Sequence, residues 1–587
     1  MKNKSLLFML IALLSVGLFL AACSSGDDSE PNDDAGSDDE EATSGDPVEG
    51  GDIVAAMYSA PDHQFNPIFN TSSYDSNILD LTHESLIKQD ENLGFIPSLA
   101  KDWEFNEDNS ELTYFLNEGV KWHDGEEFTA DDVVFTFTAL ADPGYVAAGG
   151  IRTNFVDTLV GYDDYVNEKT DEFTGVEKID DYTVKFIFEV PNVKALADTS
   201  FNIIPEHVFA DVNMADMPSH SASIDGGEVI GTGPFQLSQY QEGEQYVLTR
   251  HDDYWQGKPN LDSVTWRVID EAVMAGMLEN EEIHLLNRPG GVPAADVPSI
   301  EQMSHITMIE AQDLGYQYMA FKFNHGPNNS LTDPTTWIPN EKVQDAELRQ
   351  AILYALKRQD YVTGLLHGSG EVLTAPFPSA SWANNTEAIG EFDYSPDKAE
   401  EILDAAGYED VDGDGFRENP DGEKFTLNLD YPTGNEVREK VAPIIKENLE
   451  AVGISVNLNS PRDASAHFEL IEENDTDIDL YLAGWSLAST DPDPSAIFYS
   501  TAGLNYPRYT DERFDALLDE AVDPELAFDQ DYRKDKYTEW GQYFTEVLPI
   551  IPLFSDNINY AYNNKLQGIT FKSHQILDDA HKWTWSE

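Results

Sequence analysis

The stretch Phe115–Phe137 reads FLNEGVKWHDGEEFTADDVVFTF, and its local chemistry lays down a strand end, a turn and a helix start in that order. Leu112–Leu116 reads as a strand. Asp124-Gly125 is a turn pair: Asp hydrogen-bonds to nearby backbone, and Gly accepts φ values that other residues avoid. Trp122, ahead of the turn, is expected to pack as a staple before the helix. Thr129 is the expected N-cap, with Asp132 three residues on in the capping-box position, where Glu is more usual. The helix is expected over Asp131–Leu140, its acidic first turn matched to the positive end of the helix dipole. His123-Asp124 invites a catalytic reading, but the turn chemistry favours a scaffold role.

Outward from this stretch, Ile53–Tyr58 reads as a strand, and Ser76–Ile87 has helical spacing through Ile78, Leu79, Leu81 and Leu86. Thr183–Val190 alternates Val184, Phe186 and Phe188, the pattern of a half-buried strand. Gly231–Phe235, GTGPF, has glycines suited to a tight turn, and no basic residue nearby makes it a phosphate loop. Tyr246–Arg250 and Ser263–Ile269 read as strands. In the second half, strands at Tyr318–Asn324, Phe425–Asp430, Ile454–Leu458 and Ile478–Ala483 alternate with helices at Asp345–Leu366, Asp397–Ala406, Glu436–Val452 and Asp511–Ala521. Gly407 and Gly453 stand as helix C-caps. Such alternation predicts an α/β fold with a largely parallel sheet covered by helices. Asn557–Trp585 reads as short strands. A body of about 535 residues is too long for one core and implies at least two domains.

Five segments carry a resemblance: Phe115–Phe137; GTGPF at Gly231–Phe235; DYWQGKPNL at Asp253–Leu261; LRQAILYALKRQDY at Leu348–Tyr361; and PDKAEEILDAAGYEDVDGDGFRE at Pro396–Glu418. Together and in this order they resemble the extracytoplasmic solute-binding proteins of ABC importers, family 5, the peptide and nickel binders, from about Gly51 to the end. The resemblance implies a two-lobed periplasmic-binding-protein-like fold (type II, the large cluster C form) with an extra subdomain in the first lobe. It places the first lobe at 51–270 plus 556–587 and the second at 271–555. Ligand would sit in the interlobe cleft, and the lobes would close by hinge motion around it. The implied partners are a peptide, or another small molecule, and the permease subunits of an ABC importer, with the protein a monomer.

The N-terminus fits an exported protein. Lys2 and Lys4 precede a run of about seventeen mostly apolar residues to Ala22, short of the roughly twenty that span a bilayer. Residues 1–22 read as a signal peptide. Leu20-Ala21-Ala22-Cys23 resembles a bacterial lipobox, which implies lipidation of Cys23 and attachment to the outer face of the cell membrane. Residues 23–50 are rich in Ser, Gly, Asp and Glu and are expected to form a disordered acidic spacer. Cys23 is the only cysteine, so the body has no disulfide, Cys metal ligand or Cys nucleophile. Lys plus Arg is 34 against 110 Asp plus Glu, a net charge of −76. That field repels nucleic acid and anionic lipid. Its spread along the whole chain points to adaptation to high salt, with a melting temperature expected to rise from low to molar NaCl.

The resemblance also nominates cleft residues. In Ala483–Ser500, AGWSLASTDPDPSAIFYS, Trp485 is expected as a cleft wall. In dipeptide and oligopeptide binders of the family, an Asp three residues after this Trp pairs with the ligand's α-ammonium. Here that position is Ala488. Either Asp491 reaches in, or the ligand lacks a fixed free amine there, because an ammonium taken from water needs its charge met. Asp491-Pro492-Asp493-Pro494 also suits a rigid helix-entry turn. Tyr74 and Trp382 are further wall candidates. Asp410–Asp421, DVDGDGFRENPD, matches D-x-D-x-D-G with Gly415 at the sixth position. It suggests a structural calcium on Asp410, Asp412, Asp414 and Asp421, although position twelve is Asp rather than Glu; a polar connection is the alternative. No cofactor is otherwise expected. An oligosaccharide ligand remains open, using aromatic platforms such as Trp485 and Trp382. Scattered histidines argue against nickel, and the absence of G-x-S-x-G and H-E-x-x-H argues against a hydrolase.

Overall fold

The computed structural model describes residues 47–586 apart from 290, 327–332, 434, 463, 473–476, 488–489 and 572–574. Cys23, the signal peptide and most of the spacer therefore lie outside the described residues, as does Ala488.

A twelve-stranded mixed sheet organises the chain. Its order runs Val456–Leu458, Leu427–Asp430, Leu480–Trp485, Tyr316–Phe321, Ile550–Asn563, Leu285–Leu286, Asp52–Met57, Ser263–Val268, Gln245–Arg250 and Phe235–Gln241, with Ile306–Gln312 and Gly370–Glu371 also pairing to Ile550–Asn563. Three second-half strands, 427–430, 456–458 and 480–485, are parallel as expected for helix-linked crossovers. Tyr316–Phe321 is antiparallel to both Leu480–Trp485 and Ile550–Asn563. The sheet is thus mixed rather than largely parallel, because Tyr316–Phe321 follows the strand Ile306–Gln312 instead of a crossover helix, and Ile550–Asn563 runs antiparallel to both. The expected short strands after Asn557 begin instead as the end of one fourteen-residue strand, Ile550–Asn563.

That long strand joins two groups of apolar cores. One half pairs with Tyr316–Phe321, beside Met319, Phe321, Leu429, Leu480 and Leu482. The other pairs with Ile306–Gln312 and Leu285–Leu286, where Tyr560 packs with Ile53, Leu248, Val264 and Trp266. Met274, Leu278, Leu286 and Ile300 share a core with Ala56 and Ala561. Residues 271–312 therefore pack with the strand Asp52–Met57. A separate four-stranded antiparallel sheet, 100–105, 111–116, 183–187 and 176–180, carries the helix Ala130–Leu140 and its own core around Trp122, Phe137 and Phe186. This is the extra subdomain.

Local chemistry set many helix ends. Thr129 caps Ala130–Leu140 in a capping box with Asp132. Gly407 ends Pro396–Ala406 in the left-handed region, φ 89. The helix expected over Asp345–Leu366 is broken: Ala346–Ala355 and Arg358–Leu365 are separate, with Leu356 extended. The break lets buried Arg358 donate to the carbonyls of Leu373, Pro552 and Phe392, while the Lys357 amide donates to Asn448 Oδ1. Those distant partners outweigh one more turn of helix.

Candidate functional site: a polar cleft between the two halves

The signature stretch does structural work at a distance. His123 is fixed on both ring nitrogens: Nδ1 accepts from the Gly231 amide at 3.0 Å, and Nε2 donates to Gly233 O at 3.0 Å. Gly231 and Gly233 in turn lie against the end of the helix Ser73–Thr82. A Cβ on Gly231 would stand 1.8 Å from Thr82 O, and one on Gly233 2.6 Å from Leu81 O. Neither glycine has a positive φ, so close approach, not the expected turn geometry, demands glycine here. Tyr254 and Trp255 of DYWQGKPNL hold the next residue group by donating to Glu84 at 2.8 and 2.9 Å. Three resembling segments thus position one helix and the residues after it.

That helix presents a polar stripe. Ser73, Ser76, Asn77 and Asp80, at i, i+3, i+4 and i+7, lie on one face, while Ile78, Leu79 and Leu81 are buried in the core. The stripe lines a cavity of about 520 Å³ together with Asn287, Arg288, Asp313, Ser486 and Asp556. Asp80 and Gln575 are shared with a second cavity of about 210 Å³, which Glu84, Lys88, Tyr254 and Thr490 also line. Phe95 and Thr490 are shared with a third of about 520 Å³, lined by Lys194, Trp382, Asp491, Phe528 and Arg533. The three form a continuous groove between residues from early in the chain and residues from 382 to 556.

The wall after Trp485 is electrically closed. Asp491 takes two hydrogen bonds from the Arg533 guanidinium, at 2.8 and 2.9 Å. Arg533 is 7% exposed at its side chain and also donates to Tyr537 Oη and Ala521 O. Burial disfavours its charge, but Asp491 more than restores it. The same guanidinium lies over the Trp382 ring at 5.2 Å. Asp493 receives Lys194 Nζ at 3.2 Å, an ion pair across the groove, near the edge-on contact of Phe105 with Phe528. Asp491 therefore lines the groove with its charge already met. Trp485 stacks on Tyr506 at 5.6 Å and lies nearly parallel to Tyr318; its neighbour Ser486 lines the cavity. Tyr74 turns from the stripe to an edge-on contact with Tyr58. Trp382 is thus a groove residue, whereas Trp485 and Tyr74 are packed on other aromatics.

The opposite wall is electrically open. Burial, then Asp578, push the Asp80 carboxyl up to about 7, against the opposing charge of Arg288. Burial and Asp313 push Asp556 up to about 6, against Arg438. The sequence reading missed the stripe, although polar residues at helical spacing were a signal for it. Asn287 and Asp556 gave no such signal, because nothing local distinguishes them from ordinary loop and strand residues.

Asp410, Asp412 and Asp414 come together, with ligand-capable oxygens within 4.8 Å of one another, all exposed. Asp421 is not part of that group. Lys424 Nζ bridges Asp412, at 2.6 Å, and Asp414, and Asp410 accepts from the Gly413 and Gly415 amides. The loop is closed by its own lysine and backbone.

Residues 94–506 match the family model for bacterial extracellular solute-binding proteins, family 5. The chain is 30% identical to the oligopeptide-binding protein AppA of Bacillus subtilis over 99% of each chain, and 27% identical to the dipeptide-binding protein of Escherichia coli over 78% of this chain and 81% of that one. The solved structure of Bacillus subtilis AppA with a nonapeptide superposes with a TM-score of 0.71, covering 92% of this chain and 100% of that one at 30% identity. Lactococcal OppA in its closed conformation gives 0.74 at 21% identity, covering 92% and 99%, a likeness of fold. A helix-borne polar stripe facing a long groove, in a chain that matches the family model over residues 94–506 and Bacillus subtilis AppA over 99% of each chain, leads to one conclusion: this protein belongs to the bacterial extracellular solute-binding proteins, family 5, and has their two-lobed fold.

Proposed function

We propose that the protein captures peptides in the groove and delivers them to the permease of an ABC importer. The observation that carries this reading is the groove itself: cavities lined from both halves of the chain, in a protein that aligns over 99% of its length with an oligopeptide-binding protein. The groove binds and releases; it needs no reacting group. In this reading the lobes meet near Gln312 and Phe554, since residues 271–312 pack on Ala56 and Ala561, and the Lys194–Asp493 pair helps hold them closed. Among the described residues no helix is long and apolar enough to cross a membrane. A lipid on Cys23 supplies two acyl chains, enough for stable attachment.

Native mass spectrometry of the purified protein, followed by thermal-shift measurements with peptide and oligosaccharide panels, tests the reading. Co-purifying peptide and stoichiometric shifts with peptides are expected. Shifts with oligosaccharides alone, or turnover of any panel member, overturn it.

A further inference from the structure

The cavity beside the helix Ser73–Thr82 holds polar atoms that the protein itself leaves unmet. Asn77 and Asn287 are each 4% exposed, and both line it. Asn287 Nδ2 donates to Asn77 Oδ1 at 3.0 Å and to Arg288 O at 3.1 Å. Asn77 Nδ2 and Asn287 Oδ1 are then left without partners, and so is Asp556 Oδ1. The donation to Arg288 O fixes the orientation of the Asn287 amide, so one donor group and one acceptor of the pair stay unmet. Buried polar atoms are almost always paired, so an unpaired set gathered at one cavity asks for a partner.

Charge points the same way. Asp80, Asp313 and Asp556 line this cavity against Arg288, and Arg288 Nη2 already lies 3.5 Å from Asp313 Oδ1. Arg438, the cation acting on Asp556 from the other half, has its Nε donating to Gln317 Oε1 at 2.8 Å. The remaining need is for positive charge.

Building on the peptide reading above, we propose that this cavity takes a cationic group of the ligand, an ammonium or a guanidinium, between the Asp80 and Asp556 carboxylates, with the Asn77–Asn287 pair meeting an adjoining ligand amide through one donor and one acceptor. The ligand's charge is thereby received on the wall formed by the first helix and the long strand, and not on the loop after Trp485, where Asp491 and Asp493 are neutralised. The raised proton affinities of Asp80, facing Asp578 and Arg288, and of Asp556, facing Asp313 and Arg438, fit carboxyls that wait for a cation. Affinity for a cationic ligand rises as pH climbs through about 6 to about 7, because the ligand needs both groups ionised.

Isothermal calorimetry at pH 8 with three probes tests this: pentaalanine with a free amino terminus, N-acetyl-pentaalanine amide, and an N-acetylated, amidated pentapeptide of four alanines and one lysine. The wild-type protein is expected to bind at least one cationic probe about tenfold or more tightly than the neutral one; which probe gains tells whether the group is a terminal ammonium or a side chain. Asp80→Asn and Asp556→Asn, each tested alone, lower affinity for the favoured cationic probe and erase that preference. Asn77→Ala weakens all three probes. Wild-type protein that binds the probes without preference, or Asp variants that weaken all three alike, overturn the assignment while leaving peptide capture standing. A wild-type protein that binds none of the three overturns both.

Discussion

The two walls of the groove are both rich in carboxylates and differ in what those carboxylates face. On the wall after Trp485, Asp491 is clamped by Arg533 and Asp493 by Lys194. On the wall of the first helix, burial, then Asp578 beside Asp80 and Asp313 beside Asp556, raise both proton affinities against the opposing charges of Arg288 and Arg438. The first arrangement builds a rigid rim. The second leaves buried carboxyls whose ionisation burial disfavours. In a chain with 110 acidic residues, an Asp marks a site only by lacking a partner.

The largest way to break this comparison is Arg533→Met. It leaves the Asp491 carboxylate uncompensated beneath Trp382 and is expected to destabilise the protein by about 3–5 kcal/mol, as for other buried pairs broken on one side. Chemical denaturation measures it. Adding Asp491→Asn should recover part of the loss; a double variant no more stable than the single one would show that the pair is not the source.

On the opposite wall the sign reverses. The folded state holds the Asp80 proton up to about 7, against 3.8 for the free group, so the folded state binds more protons in that window. Unfolding free energy contributed by Asp80 therefore falls as pH rises from about 4 to about 7. Asp80→Asn removes the penalty and should raise the melting temperature of the ligand-free protein by about 2–4 °C at pH 8, with little change at pH 4. Calorimetric scans at the two pH values check it, and a loss of stability at pH 8 would break the contrast between the walls.

Smallest is Lys194→Met at the rim. The ion pair crosses the groove with the lysine about one-third exposed, so its removal should change stability by no more than about 1 kcal/mol. Peptide affinity should fall by less than about fivefold, a change that molar NaCl shrinks because the Debye length is then about 3 Å. Titrations at low and molar salt measure it.

Much of the frame was legible from residues a few positions apart. The Thr129–Asp132 capping box, the Gly407 cap and the Asp124-Gly125 turn each depend on partners within about four residues, and each formed as expected. The five family segments likewise led to the correct fold. Three of them turn out to serve one purpose, since His123, Gly231, Gly233, Tyr254 and Trp255 converge on the end of the helix Ser73–Thr82 and on Glu84. What misled was always a long-range partner. Arg358 broke a helix to reach carbonyls up to 194 residues away, and Asp491, nominated as a ligand group, met Arg533 forty-two residues later.

The sequence by itself determined the family, the α/β alternation of the second half and helix ends such as those at Thr129 and Gly407, because those rest on motifs, periodicity and short-range hydrogen bonds. Only the tertiary structure decided which carboxylates are neutralised and which face the groove unmet. A side chain's charge is settled by burial and by neighbours a few ångströms away, and here those neighbours come from segments hundreds of residues apart.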